Sequence, residues 1–299
     1  MIVVFGSINV DLIASVVRLP EAGETLTGHS FSMSAGGKGA NQALAARRAG
    51  ARVALYGAVG RDAFAEPALA LLRNDGVNLE NVRSVDAATG VALIHVDARG
   101  ENAITVIAGA NARAEAGQVP NEALGPASIV VMQLETAQDE VAALARRARA
   151  HGSRVILNAA PVAVLTLDLF RNIDVLVVNE SEAQALADAF HMAPGPKSFV
   201  VEFRARFNAD AIVSLGSRGL VASSPDGPID LASPAVRVVD TIGAGDALVG
   251  AAAAALDRSA SWTRALQEGI AAGALACTRA GAQASLPYQQ EISRLADTI

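Results

Sequence analysis

The stretch that most constrains this chain is Val236–Asp257, VRVVDTIGAGDALVGAAAAALD, which carries in succession a β-branched run, a glycine-rich turn, an acid and a run of helix formers. Val236, Val238 and Val239 predict a short strand, and the small apolar residues Gly250 to Leu256 predict a closely packed helix. Between them, Thr241-Ile242-Gly243-Ala244-Gly245-Asp246 predicts an anion-binding turn. Its glycines let backbone N–H groups face outward, and the helix N-terminus behind them adds partial positive charge. An acid in such a turn has two readings. Asp246 is either a first-turn acid favoured by the helix dipole, or the base that takes a proton from a hydroxyl attacking a phosphorus atom held over the glycines.

Neither common nucleotide motif is present. A dinucleotide fingerprint requires Gly or Ala at position 248, where Leu248 stands, and a Walker loop requires Lys-Ser or Lys-Thr after its second glycine. The other glycine cluster, Gly36-Gly37-Lys38-Gly39, fails the same test, since Gly39 follows the lysine and Ser32 occupies the first glycine position. Phosphoryl transfer by this chain calls for a loop of another kind.

At 299 residues, 52% of them hydrophobic, the chain can bury a large core. Only 4% are aromatic, so Ala, Val and Leu fill that core, as suits helices lying close on a parallel sheet. Apolar runs at Ile2–Phe5, Val53–Val59, Ser128–Gln133, Arg154–Leu157, Val175–Val178, Ala211–Leu215 and Leu220–Ala222 predict strands. Helical patterns at Gly36–Arg48, Pro67–Asn74, Thr136–Ala150 and Trp262–Thr278 alternate with them, which predicts an α/β fold. Polar residues follow several strands at their carboxyl ends: Asn9 and Asp11 in the loop after the first, then Glu135, Asn158, Asn179 and Glu182. On a parallel sheet these converge on one rim, where open α/β sheets bind ligands. Lys38 and Asn41 offer donors to an oxygen-rich ligand from the helix after the second glycine cluster; Lys38 taken alone reads more often as a solvated lysine, and its glycine surroundings bring the two readings level.

Thr25–Met33 predicts an exposed strand, and Thr89–Val96 with Ala103–Ile107 predicts a hairpin about Asp97-Ala98-Arg99-Gly100. A hairpin cannot lie inside a parallel sheet, so these segments are expected to form a small separate sheet over the rim. Met192–Val201 shows no clear period, and Arg279–Pro287 reads as a loop. A formal charge of −6 argues against nucleic acid or an acidic membrane as partner. Cys277 is the only cysteine, excluding a disulfide within the chain, and nothing resembles a signal peptide or a membrane span, so a cytoplasmic location is expected.

The motifs GSINVD at 6–11, GGKGANQA at 36–43 and DTIGAGDA at 240–247 resemble those of the ribokinase-like family of carbohydrate kinases, in the family's order and over essentially the whole chain. The resemblance implies a single domain over 1–299: a three-layer α/β/α sandwich with a mostly parallel central sheet. It also implies a β lid, from segments about 12–33 and 88–108, that closes on the sugar and serves as a homodimer contact. The implied activity is transfer of the γ-phosphoryl group of ATP to a sugar hydroxyl, with D-ribose as first expectation. Another sugar, a nucleoside, or a non-catalytic sugar-binding regulatory role are the alternatives.

The resemblance further implies Asp246 as the base, beside the amides of Gly243, Ala244 and Gly245. It implies sugar contacts at Asn9, Asp11, Gly37, Lys38, Asn41 and Glu135, and nucleotide contacts at Asn179, Ser214, Gly216, Ser217, Gly219 and Gly245. Arg218 reads either as a neighbour of the ATP phosphates or as an exposed structural arginine. Asn179 and Glu182 are implied to hold Mg²⁺ through water, and Asp240, Ile242, Ala276, Arg279, Gly281 and Ser285 a monovalent cation such as K⁺. The sequence departs from the family in two places. Ala247-Leu248-Val249-Gly250 replaces the usual Thr-Phe-x-Gly, and Ile270 stands where a polar residue near adenine is common, so altered nucleotide contacts are expected.

Overall fold

The computed structural model describes residues 1–162 and 165–299. In chain order its regular elements are β1 Ile2–Phe5, β2 Asn9–Ser15, β3 Ser30–Gly36, α1 Lys38–Arg48, β4 Val53–Val59, α2 Ala65–Asn74, β5 Val82–Ser84, β6 Gly90–Val96, β7 Asn102–Ile107 and β8 Ile129–Met132. There follow α3 Gln138–Ala150, β9 Arg154–Asn158, α4 Leu167–Arg171, β10 Val175–Asn179, α5 Glu180–Phe190, α6 Pro196–Phe207 and β11 Asp210–Ser214. The chain ends with β12 Leu220–Ala222, β13 Ile229–Leu231, α7 Ala244–Asp257, α8 Trp262–Ala276, α9 Ala282–Ser285 and α10 Gln289–Ala296.

β1 is apolar and buried at every position, the mark of a strand covered on both faces. It lies within a nine-stranded sheet of order β13-β12-β11-β10-β9-β8-β1-β4-β5, parallel from β11 to β5, with β12 and β13 antiparallel at one edge. Side chains alternate along each strand. Ile2 and Val4 therefore join the core beneath α1, α7 and α8, while Val3 and Phe5 join the core beneath α3, α5 and α6. This is the expected three-layer α/β/α sandwich. The alanine run of α7 is buried, and a Cβ added at Gly250 would fall 2.5 Å from the Cβ of Ala45. Side chains this small let α1 and α7 approach closely, which brings the N-termini of both helices to the same rim.

A second sheet of four strands, in the order β3-β2-β6-β7, stands apart from the first. Its pairing differs from the expected lid in detail. Asn9 and Asp11, expected in a loop, open the strand β2, and the strand expected at Thr25–Met33 runs instead from Ser30 to Gly36. The register explains the shift: β3 pairs antiparallel with β2 from Ser30↔Ser15 to Asn9↔Gly36, and the residues before Ser30 find no partner strand. The expected hairpin is present, β6 and β7 turning through Gly100 at φ 82°.

Two further expectations fail for physical reasons, and one segment without a readable period resolves into structure. Val236–Val239 forms no strand, because no sheet edge meets it, and Val238 and Val239 are exposed. The aperiodic segment Met192–Val201 contains the start of α6, with Gly195 at the N-cap and Pro196 in the first turn. Phe199, Phe203 and Phe207 then recur along α6, and Phe170 packs against Phe203 and Phe207. The loop expected at Arg279–Pro287 carries the short helix α9. Among the described residues, no helix is long and apolar enough to cross a membrane.

Candidate active site

Where β1 ends, the chain crosses directly into β2, and this puts Asn9 and Asp11 against the second glycine cluster. Gly37, at φ 89°, caps α1 and turns the chain so that Lys38 and Asn41 face the same space. Glu135, just after β8, ties the pieces together: its Oε2 accepts from the Ser7 hydroxyl at 2.5 Å and from the Lys38 backbone N–H at 3.1 Å. Asn9 is buried and its Oδ1 accepts from Asn111 Nδ2 at 2.7 Å, which leaves the Asn9 amide hydrogens facing away from Asn111.

Asp11 is buried as well. Burial, then the charges of Glu135 and Asp246, push its carboxyl up to about 6, and no hydrogen bond among the described residues pulls it back. Lys38 answers these acids. Burial opposes its charge, but Asp246, Glu135 and Glu182 together outweigh burial and raise its ammonium above the ordinary lysine value. A buried cluster of carboxylates about one lysine, with unused donors and acceptors, is suited to a polyhydroxylated ligand, whose hydroxyls both donate and accept.

Asp246 belongs to this cluster. It sits in the first turn of α7, whose N-cap is Gly243 at φ 80°. Asn41 Nδ2 donates to its Oδ2 at 2.8 Å, and Gln42 Nε2 to its Oδ1 at 2.9 Å. Burial raises its carboxyl above the usual range, against the pull of Lys38, Asn41 and Gln42. Asp246 is therefore a stronger base than a surface aspartate.

On the far side of the same turn lies a cavity of ≈ 1150 Å³. Thr241, Ala244, Gly245 and Leu248 form one wall, Ser214, Leu215, Gly216, Ser217 and Gly219 another, and Asn179 and Glu180 a third. Val236, Val238, Ile270, Ala274 and Cys277 make the remainder largely apolar. A Cβ added at Gly245 would meet nothing within 4 Å, so this turn leaves open space in front of its backbone. The turn thus adjoins both groups of residues, with the Asp246 carboxylate held by Asn41 and Gln42 in the polar cluster and Ala244 and Gly245 lining the cavity.

A family profile for pfkB carbohydrate kinases matches residues 1–289. The chain belongs to the pfkB family of carbohydrate kinases. Among its relatives, the ribokinase of Haemophilus influenzae is 34% identical over 295 residues, covering 96% of this chain and 95% of that one. Of solved structures, the ribokinase of Thermotoga maritima superimposes with a TM-score of 0.92 at 28% identity, covering 99% of both chains. The ribokinase of Arabidopsis thaliana, solved with ribose and ATP, gives 0.87 at 30% identity, covering 99% of this chain and 98% of that one.

As a pfkB carbohydrate kinase, a phosphotransferase acting on an alcohol group, the chain gathers the positions expected to bind sugar into one polar cluster. The positions expected to bind nucleotide fall along the cavity. Arg218 lies outside the cavity wall, exposed and paired with Glu180, which favours the structural reading of that arginine. Asn179 and Glu182 form a reciprocal helix cap: Asn179 Oδ1 accepts from the Glu182 N–H and Glu182 Oε2 from the Asn179 N–H, each at 2.8 Å. No group of three or more His, Cys, Asp and Glu suited to a metal occurs among the described residues. The pair therefore fits Mg²⁺ only through water, by way of the remaining oxygen of Glu182. Asp240 bridges the other candidate cation segments, its Oδ1 accepting from the Ile242 N–H at 3.0 Å and its Oδ2 from the Gly281 N–H at 2.9 Å. Three polar residues of the site escaped the sequence reading: Gln42, Asn111 and Gln133. Gln42 lay inside a motif already singled out, and Gln133 breaks the apolar run of β8 at the carboxyl end, which was the available signal.

Proposed function

We propose that this carbohydrate kinase transfers the γ-phosphoryl group of ATP to a hydroxyl of D-ribose, giving D-ribose 5-phosphate. The observation that carries the reading is the position of Asp246, held by two amides at the mouth of α7 between the polar pocket and the large cavity. The sugar lies in the pocket, bound by Asn9, Asp11, Gly37, Lys38, Asn41 and Glu135. ATP lies in the cavity along Asn179, Ser214, Gly216, Ser217 and Gly219, with its terminal phosphate over the N–H groups of Gly243, Ala244 and Gly245. Those amides and the helix dipole stabilise charge on the transferring oxygens. Asp246 orients the attacking hydroxyl and accepts its proton late in a loose transition state.

Glu182, beside Asn179, would hold Mg²⁺ through water, and the ion would supply neutralisation of phosphate charge. Asp240, Ile242, Ala276, Arg279, Gly281 and Ser285 would hold a monovalent cation that would brace the α7 turn. The exposed Phe31, Met33, Ile104 and Val106 of the small sheet support a homodimer contact there. We place the protein in the cytoplasm.

ADP release measured across ribose, 2-deoxyribose, fructose and adenosine tests the assignment. Ribose is expected to give the highest kcat/KM. Preference for another acceptor would move the substrate, and silence with every acceptor despite tight binding of one would replace catalysis by a binding role.

A further inference from the structure

We propose that Gln42 is a positioning residue for phosphoryl transfer, holding one oxygen of Asp246 so that the other, Oδ2, receives the sugar's proton. The proposal rests on the assignment of Asp246 as the base. Gln42 is wholly buried, and every polar atom of its amide is engaged. Its Nε2 donates to Asp246 Oδ1 and to Asn158 Oδ1, both at 2.9 Å, and its Oε1 accepts from Gln133 Nε2 at 2.6 Å.

The direction of these bonds is forced. The carbonyl of Val177 on β10 can only accept, so Asn158 donates to it through Nδ2 at 3.0 Å and turns its own oxygen toward Gln42. Gln42 must then donate to Asn158, and its oxygen is left facing Gln133. An amide hydrogen is thereby fixed against Asp246 Oδ1, and a proton placed on that oxygen would face it head on.

Oδ2 is in a different position. Its partner is Asn41, whose own Oδ1 is buried with no hydrogen-bond partner, so the bond to Asp246 Oδ2 alone sets which way that amide faces. Turned over, the Asn41 amide accepts from a protonated Oδ2. In the transfer step the hydroxyl oxygen bonds to the γ-phosphorus, and the phosphorus–oxygen bond to ADP breaks with its electron pair leaving on ADP. The hydroxyl proton passes to Asp246 Oδ2. Lys38, Glu135 and Asp11 are the charged groups that face this carboxylate.

The test is Gln42→Leu, assayed for kcat, for sugar and ATP affinity, and for the acid limb of the kcat–pH profile. With the donor to Oδ1 removed, kcat is expected to fall roughly 10- to 100-fold while both affinities stay within roughly 3-fold. The acid limb is expected to move up by about one unit, because the lost bond favoured the carboxylate. An unchanged limb overturns the proposal, whether kcat is normal or reduced. Should Gln42→Leu fail to fold, Gln133→Met, which frees only the Gln42 oxygen, is expected to move the limb the same way by less, and an unmoved limb there overturns the proposal equally. Asp246→Asn separates the two layers of the reading. Normal turnover in it removes the base and this inference together, whereas an inactive Asp246→Asn beside an unmoved Gln42→Leu limb removes this inference alone.

Discussion

The two glycine clusters look alike in sequence and do opposite work. At the sugar end, a Cβ added to Gly39 would lie 2.5 Å from the carbonyl carbon of Gly6 and 2.6 Å from the N of Ser7, so this glycine exists to let two backbones touch. At the nucleotide end, a Cβ added to Gly245 would meet nothing within 4 Å. The first cluster packs the protein against itself beside a group of buried polar side chains. The second keeps protein away from a space and offers backbone N–H groups to whatever fills it. Under the proposed assignment, acceptor recognition would be concentrated in a few side chains, while the donor end would rely on shape and main-chain contacts.

The largest effect that would break this comparison is on stability. Gly39→Ala is expected to destabilise the fold by about 3 kcal/mol, since the obstructing atoms are backbone and cannot swing aside. Thermal or urea denaturation measures it, and a stability equal to that of the parent would mean that the cluster is not a packing device.

Asp11→Asn sharpens the contrast through pH. The Asp11 carboxyl ionises near 3.8 when unfolded and at about 6 when folded, so the folded state loses stability as pH rises from about 4 to about 6 and stays low above that. Replacing it with Asn is expected to make the ligand-free protein more stable at pH 7.5, by up to about 3 kcal/mol, and to leave stability near pH 3.5 little changed. Ribose affinity is expected to worsen at the same time. A denaturation series across pH showing no difference between variant and parent would place Asp11 in contact with solvent.

The smallest effect on stability is expected at the other end. Gly245→Ala, within the first turn of α7, is expected to leave stability unchanged or raise it by up to about 1 kcal/mol, because alanine is the better helix former. Its methyl group would project into the open space, so the KM for ATP is expected to rise and the KM for ribose to hold. A variant with unaltered ATP kinetics would show that the phosphates do not lie against this turn.

This division also explains what was legible in the sequence. Asn9, Asp11, Lys38, Asn41, Glu135 and Asp246 all follow strand ends or open helices next to glycine, a pattern that signals a rim and could be read without coordinates. Even there, the crossing from β1 into a strand of the small sheet was hidden, because Asn9 and Asp11 carry the polarity of a loop while pairing in β2. Gln42 and Gln133 act through partners far away in sequence, and no local period reports such bonds. The nucleotide end was harder. Val236, Val238 and Val239 have the composition of a strand, but Val236 and Val238 line the cavity with no strand beside them, so β-branched residues signalled extended chain without saying what it faced. Leu248 and Ile270, where the family favours other residues, are cavity wall, and their apolar character fits an end that is read by shape.

The most direct test of the account is Asp246→Asn, with ADP release and ribose binding measured separately on the same preparation. A carboxylate poised between pocket and cavity predicts turnover reduced by roughly 10²- to 10⁴-fold with ribose still bound at close to the parent's affinity. Turnover near that of the parent would contradict the account.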